Sequence, residues 1–491
     1  MNLLQKQGFY NSLILYAGTA LGFFNLIILF QRYLTIQQIG FFTLMGAISL
    51  LYAQIASAGI GNIILKYFPY YRGNDKRHNG FSTFVLLWSV VGFVIITVFF
   101  VSFKSCITNY YKDKPGSSLL VQYYYYLIPL SFFTMTYTVL ESMARAVFNN
   151  VLSAFLREVL LRVFTLISVL LIAAAIAGYY DFLMIYLAAN VIITLILWHN
   201  IYKGAHFKFG SISARIIGQR KEMAYYGFFT VLSGSSFALI QNLDIIMLTA
   251  ITMDLKFVGI YSTFFSIAMV ISLPAKALSR TSLQIIAQAW AENDLPKIDK
   301  IYYKTSVVQM LIGCLLFIGL IINKQHIMAL LHKPEYASYF DVFIMVGFGF
   351  LADMTGGVNG YIINISKHYK LTTYFITAAV MLCAVLNWLL IPVVGMMGAA
   401  ISYFATMFTL NFVYWLFVYV KFSLQPFGRA HIVVILISLL TFAISNYVPV
   451  LPNFIADMIL RSIIALVIYS GLSYYLKISE DINAAIDKVL K

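Results

Sequence analysis

Residues 371–420 read LTTYFITAAVMLCAVLNWLLIPVVGMMGAAISYFATMFTLNFVYWLFVYV, fifty positions without a single Asp, Glu, Lys or Arg. Two apolar runs, 371–392 and 397–420, are each long enough to cross a hydrocarbon core of about 30 Å at about 1.5 Å per residue. Only Val393 to Met396 separate them, which is a turn's length, so the two runs form an antiparallel hairpin of neighbouring membrane helices. Gly178 to Asp181 joins another such pair.

Working outward from this hairpin, the chain carries fourteen apolar stretches of similar length: 10–31, 41–65, 82–103, 120–144, 156–177, 182–202, 225–250, 258–280, 304–322, 340–364, 371–392, 397–420, 430–448 and 457–476, numbered here as spans 1 to 14. A shorter aromatic-rich run could be re-entrant instead, which would lower the count. Composition agrees with a membrane protein: 61% of residues are hydrophobic and 10% are charged, against about a quarter charged in a water-soluble domain. The expected fold class is therefore an all-α integral membrane protein with fourteen transmembrane helices. No connection is long enough to fold as a separate catalytic domain. The first run exceeds a signal-peptide core and lacks a small-residue cleavage site, so it is expected to stay as helix 1.

Cationic segments resist translocation, so counting Lys and Arg on the two sides orients the chain. Of the 33 Lys and Arg, 25 fall in the termini and the even-numbered gaps with their adjoining helix ends, 7 fall in the odd gaps, and Arg461 lies inside span 14. Both termini should be cytoplasmic. The net charge of +15 thus reflects membrane insertion and not a nucleic-acid surface. Cys106, Cys314 and Cys383 are scattered and give neither a metal-ligand pattern nor a disulfide framework.

An internal repeat organises the spans. Gly40-Phe41-Phe42 at span 2 matches Gly259-Ile260-Tyr261 at span 8 with an offset of 219, and Lys114-Pro115 matches Lys333-Pro334 at the same offset. Gly178-Tyr179-Tyr180 matches Gly395-Met396-Met397 with an offset of 217. Six spans per unit means both units insert the same way up, giving two six-helix lobes in a parallel pseudo-two-fold repeat plus two extra C-terminal helices. The expected organisation is an N-terminal lobe at 1–203, a basic cytoplasmic linker at 204–224, a C-terminal lobe at 225–421, and helices 13 and 14 with the tail at 422–491. Lys203 to Glu222 holds five basic residues and is expected to lie on the anionic inner leaflet.

Two facing lobes suggest alternating access, so candidate cavity residues are polar groups inside spans, each costing about 2.5 to 3.5 kcal/mol at the bilayer centre if charged. Span 4 places Thr134, Thr138, Glu141 and Arg145 on one helical face, ending in an i,i+4 pair, and span 5 repeats this with Glu158 and Arg162. These pairs either staple the lobe or present arginines to phosphate, for which a planar bidentate donor is suited. Span 7 aligns Ser233, Phe237, Gln241 and Asp244, with Asn242 beside them. Asp244 is open to two readings: a proton or cation site, or the partner of a cation on a neighbouring helix. Span 8 bends at Pro274 and carries Lys276 and Arg280 near its cytoplasmic mouth, as interface anchors or cavity groups facing Asn25 of span 1 and Gln54 of span 2. Span 10 offers Asp353, with no cation within a turn, followed by Gly356, Gly357 and Gly360, whose spacing lets another helix approach. Aromatics such as Tyr123 to Tyr126 mark interfacial belts, and some could stack on sugar rings.

The run from Asn387 through Pro392 and Gly395 to Gly398-Ala399-Ala400 resembles the span 11 to 12 signature of bacterial polysaccharide flippases. These are the O-antigen type members of the multidrug/oligosaccharidyl-lipid/polysaccharide exporter superfamily. Arg32-Tyr33-Leu34-Thr35 to Gly40, Asn242-Leu243-Asp244 to Leu248, Val258-Gly259-Ile260-Tyr261 and Pro334-Glu335-Tyr336-Ala337 fit the same pattern in order along the chain. The resemblance implies fourteen helices in a bacterial cytoplasmic (inner) membrane. It implies movement of an undecaprenyl-diphosphate-linked oligosaccharide between leaflets, with membrane lipids and other polysaccharide-assembly proteins as partners. No cofactor is implied, while coupling to a proton or monovalent cation gradient stays open. Binding residues are not assigned by any motif. Two rivals follow from the same residues. A cation-coupled multidrug antiporter of the superfamily would carry an acidic residue in span 1, and none occurs between Asn11 and Phe30. A membrane polymerase or ligase would need acid/base groups on a large outer loop, yet the longest outer gaps hold only Asp113 and Glu335 as carboxylates.

Overall fold

A computed structural model describes residues 3–73, 77–147, 149–203, 208–234 and 236–490, and every regular element among them is helical. Eleven of these helices are long and apolar enough to cross a membrane, so this is a multi-pass membrane protein. Helices also stand where the sequence places spans 4, 5 and 7, but each departs from an uninterrupted apolar span. Leu127–Ala146 carries Glu141 and Arg145. Span 5 is interrupted by a π-helical stretch at Leu156–Leu160, and span 7 is divided between Ala214–Gly234 and Ser236–Thr252. The linker expected to end near 224 is thus helical from Ala214 onward.

The chain sorts into two compact units, Met1–Gly259 and Ile260–Lys491, each described by itself. In the first unit, span 2 is not one rod. It breaks between Ile36–Ser57 and Ile60–Tyr71, where Ala58 and Gly59 take left-handed conformations. A side chain at Gly59 would overlap the backbone of Gly227, so only glycine fits there. One end of this unit is closed by a core of Ile60, Ile64, Phe68, Val85, Leu140 and Leu197, joined by Ile216 and Met223 from the linker helix. In the second unit, span 10 likewise breaks: Phe340–Thr355 ends before Gly357, whose φ is +60, and Asn359–Ile365 follows. The faces turned away from these cores are apolar, as in His78–Ser102, with Leu87, Val91 and Ile95 exposed. In water such a surface would aggregate; in a bilayer it is the solvated side.

The sequence landmarks take matching local structures. A short helix, Lys104–Tyr111, leads to Lys114-Pro115 and a 3₁₀ turn at Pro115–Ser117. A second short helix, Lys324–Leu331, leads to Lys333-Pro334 and a 3₁₀ turn at Pro334–Tyr339. Both lysines are extended before a proline, the conformation that proline imposes on its predecessor. Within the first unit, Gly40 lies against the carbonyl of Leu255 and Gly259 against the carbonyl of Ile36, each too close for a side chain.

Candidate functional site

Two helical stretches wound more widely than an α-helix organise the polar centre of the first unit. In span 1 the N–H of Phe30 bonds the carbonyl of Asn25, five residues back, and in span 5 the N–H of Leu161 does the same with Leu156. Such π-helical turns shift the register of the side chains that follow, and they recur at functional sites. Spans 1 and 5 meet closely because Gly18 and Gly22, one turn apart, have no side chains. A Cβ on Gly18 would sit 2.5 Å from the Glu158 carbonyl oxygen, and one on Gly22 would overlap the Arg162 guanidinium.

Arg162 stands 11 residues from either end of the stretch Val151 to Ala173, at its centre. Its guanidinium donates to Glu158 at 2.9 Å and to the Gly18 carbonyl, while Asn25 Nδ2 donates to the Arg162 carbonyl at 2.9 Å. The Oδ1 of Asn25 is buried without a hydrogen-bond partner. One residue before Glu158, Arg157 reaches back to span 4. It lies 3.7 Å from Glu141 and 3.5 Å from the Thr138 hydroxyl, with its guanidinium 5.6 Å from the Tyr137 ring centre. Two neighbouring arginine–glutamate pairs result, one within span 5 and one bridging spans 4 and 5, and their side chains are 26–34% exposed. Partly exposed charges in the middle of a membrane helix are tolerated only against water or protein, so this face is turned away from lipid.

One expected pairing is corrected. Glu141 pairs with Arg157 of the next span and not with Arg145 four residues on; Arg145 is exposed at the end of its helix and donates to Ser142 at 3.3 Å. The Glu158–Arg162 pair forms as the spacing indicates. Gln54 stands apart on Ile36–Ser57, its Oε1 buried without a partner. Asp244 is fully buried, with Gln241 and Asn242 half-buried beside it, on a helix that packs against Ile36–Ser57. The side chains of Ser233, Phe237, Lys276 and Arg280 lie outside the described residues.

In the second unit, Asp353 accepts from Asn411 at 3.2 Å, and Asn411 accepts from Asn359 at 3.0 Å. Gly356 leaves the room that Asn411 fills and Gly360 faces Tyr414 at 3.3 Å, so these glycines admit span 12 as their spacing indicates. Beside the cluster is a cavity of about 340 Å³ walled by Phe408, Phe412, Trp415 and Phe427. Farther along, Asp457 accepts from Arg461 at 2.8 Å and from the N–H of Leu451 at 2.8 Å, and lies 3.0 Å from His326. Sequence reasoning passed over Arg157, Asn411 and Asn359 as site residues. The Gly18-to-Gly22 spacing, and an Asn in the otherwise apolar span 12, were the available signals.

Residues 4–281, more than half of the chain, match the family model described as polysaccharide biosynthesis protein. The chain belongs to that family. This family member is similar in fold to a lipid II flippase, MurJ, in an inward closed conformation: the TM-score is 0.74 at 14% identity, covering 95% of this chain and 98% of that one. An inward-facing multidrug resistance MATE family transporter of the MOP superfamily gives a TM-score of 0.65 at 14% identity, over 83% of this chain and 94% of that one. The outward-facing form of such a transporter gives 0.53 at 15%, over 85% and 96%. At these identities the likeness is one of fold. Comparison with curated protein sequences returned no match.

Proposed function

We propose that the protein is a flippase that carries a lipid-diphosphate-linked oligosaccharide, of undecaprenyl type, from the inner to the outer leaflet of the bacterial cytoplasmic membrane for cell-surface polysaccharide export. The observation that carries this reading is the double arginine–glutamate cluster of spans 4 and 5, two guanidinium groups within a membrane helix, Arg162 at its middle, held by carboxylates that a substrate can displace. In the empty protein each arginine is neutralised, which keeps the cost of placing charge in the bilayer low. A diphosphate offers the same planar acceptor geometry with more charge, so it exchanges with Glu141 and Glu158 for the guanidinium forks. Exposed Arg145, at the end of span 4, meets the headgroup first.

Fourteen spans in two six-helix lobes, with both termini cytoplasmic, rock to open the cluster alternately to each side while the lipid tail stays in the bilayer. Spans 13 and 14 stand outside the repeat. A proton or monovalent cation gradient, with buried Asp244 or half-buried Asp353 as the ion-binding carboxylate, supplies the drive. Other polysaccharide-assembly proteins supply and consume the substrate. Drug export by the same fold is the second reading, favoured by the likeness to multidrug transporters and disfavoured by a span 1 without a carboxylate.

The test is a proteoliposome assay in which a lectin reads the leaflet occupied by a lipid-diphosphate-linked oligosaccharide. Wild-type protein should equilibrate the leaflets, and Arg157→Lys, which keeps the charge and loses the fork, should slow this by about tenfold or more. Undiminished flipping in that variant removes the arginine site, and proton-driven drug efflux without flipping promotes the second reading.

A further inference from the structure

Two residues that wall the 340 Å³ cavity of the second unit are tied to one buried histidine. Phe427 lies in the connection between spans 12 and 13, and Thr355 ends Phe340–Thr355, where span 10 breaks. His431, at the third position of Arg429–Asn446 and 6% exposed, reaches both sides. Its Nδ1 takes the N–H of Gly428, the neighbour of Phe427, at 3.3 Å. Its Nε2 is 2.9 Å from the Ser306 hydroxyl of span 9, which donates to the Thr355 carbonyl at 2.6 Å. The Phe427 ring stands between those of His431 and Trp415, at 5.3 and 5.8 Å, and Trp415 Nε1 donates to Gln425 Oε1 at 2.6 Å.

The direction of every bond in this chain is fixed. A backbone N–H can only donate, so Nδ1 carries a lone pair. The neutral ring then has its proton on Nε2 and gives it to Ser306, whose own proton goes to the Thr355 carbonyl. A second proton would sit on Nδ1 and face the Gly428 N–H, two donors with no acceptor between them.

No charge nearby compensates for that conflict. Among the described residues no carboxylate pairs with His431, and the groups on the elements packed against it are engaged elsewhere. On span 9, Tyr303 offers only its ring, 6.1 Å away, while Asp299 accepts from the Gln425 N–H at 3.0 Å and Lys304 pairs with Asp481 at 3.0 Å. On span 10, Asp353 accepts from Asn411. On span 14, Tyr469 donates to the Leu311 carbonyl and Tyr474 to Asp487, and Arg429 of the histidine's own helix is exposed.

We propose that His431 is a proton-sensitive latch: neutral, it pins residues 425–428 as one wall of the cavity, and its protonation releases Gly428 and Phe427 and opens the cavity between spans 10 and 12. Leu424 stays in the core of this unit, so the released part is short. The latch stands whatever the cargo is, and its test does not pass through transport.

The experiment measures amide hydrogen exchange of the full chain in detergent micelles between pH 4 and 8, with rates corrected for their intrinsic pH dependence. In wild type the peptide covering residues 424–431 should exchange about tenfold faster once His431 is protonated, with a midpoint in the histidine range of roughly 5 to 7. Residues 396–410 of span 12 should not change. His431→Gln places at the third helical position a residue that accepts from the capping N–H at any pH, so its exchange should stay slow throughout. A flat wild-type profile overturns the proposal whether or not the variant folds. So does a midpoint of about 4 or below, which assigns the release to the Asp299 carboxylate, or a pH dependence that survives in His431→Gln. Trp415 reads the opening directly: the emission that Trp415→Phe removes should shift to the red on acidification, and an unshifted emission overturns the opening of the cavity.

Discussion

Replacing Glu158 by glutamine tests whether the carboxylates on span 5 compete with substrate for the arginines. Arg162 and Glu158 are 2.9 Å apart and about 30% exposed. At an effective dielectric of about 20, unit charges at that distance attract by roughly 6 kcal/mol, most of which is offset by the desolvation of both groups. The net value of a charge-assisted hydrogen bond is about 1.5 to 3 kcal/mol, and this is what an incoming phosphate must overcome to take the guanidinium. The glutamine variant keeps the shape and removes the competing charge. Its affinity for a water-soluble undecaprenyl diphosphate analogue should therefore rise by roughly 10- to 100-fold. Because product is released by the carboxylate closing again on Arg162, turnover should fall as affinity rises, lowering KM and kcat together. Isothermal titration on purified protein gives the first quantity and the lectin assay the second. Unchanged or weaker binding would mean that Arg162 is only a structural partner of Glu158, and the exchange mechanism would fail.

Three further outcomes follow from the same structure. Gly40→Ala should destabilise the protein by about 1 to 3 kcal/mol in detergent thermal unfolding, because its Cβ would overlap the Leu255 carbonyl. Gly46→Ala in the same helix has open space and should gain up to about 1 kcal/mol from helix propensity, so equal shifts in the two variants would refute the close crossing. Burial pulls the Lys333 ammonium down to about 8 from 10.5. The unfolded chain then binds more protons between pH 8 and 10.5, so this lysine's contribution makes stability rise with pH across that window. Lys333→Met should abolish that rise relative to wild type, and an unchanged difference curve would contradict the burial argument. Asp457→Asn should weaken the contacts with Arg461, His326 and the Leu451 N–H, and speed proteolysis near Tyr447, which is 87% exposed. Wild-type cleavage rates there would show that the buried carboxylate does not anchor span 14.

The all-helical membrane class was legible because apolarity over about twenty residues has few other causes. Helix continuity was less so. Glycines such as Gly59 and Gly357 look like packing residues in a list of apolar positions, and only the backbone reveals that they take left-handed turns that break spans 2 and 10. Span 7 reads as apolar from 225 onward, yet its helix starts at Ala214, because Ile216 and Met223 have a core to pack into that sequence alone does not display. For the site, helical spacing found Glu158–Arg162 and failed on Glu141. An i,i+4 rule sees partners within one helix, whereas Arg157 arrives from the next helix after the turn around Asn149 and Asn150. Asn25 was found as a polar residue in an apolar run, but its bond to the Arg162 carbonyl depends on Gly18 and Gly22 letting spans 1 and 5 close.

The two glycine contacts inside the first unit bear on the repeat itself. If two segments are related by a two-fold axis and residue i of one touches residue j of the other, then the counterpart of i must touch the counterpart of j. Gly40 touches Leu255, and Gly259 touches Ile36. The offset of 219 that carries Gly40 onto Gly259 also carries Ile36 onto Leu255. The contact is therefore reciprocal residue by residue, which an accidental crossing of two helices at glycines has no reason to be. It also explains why both positions lack a side chain: a Cβ on either one strikes a backbone carbonyl, which cannot move aside as a flexible side chain would.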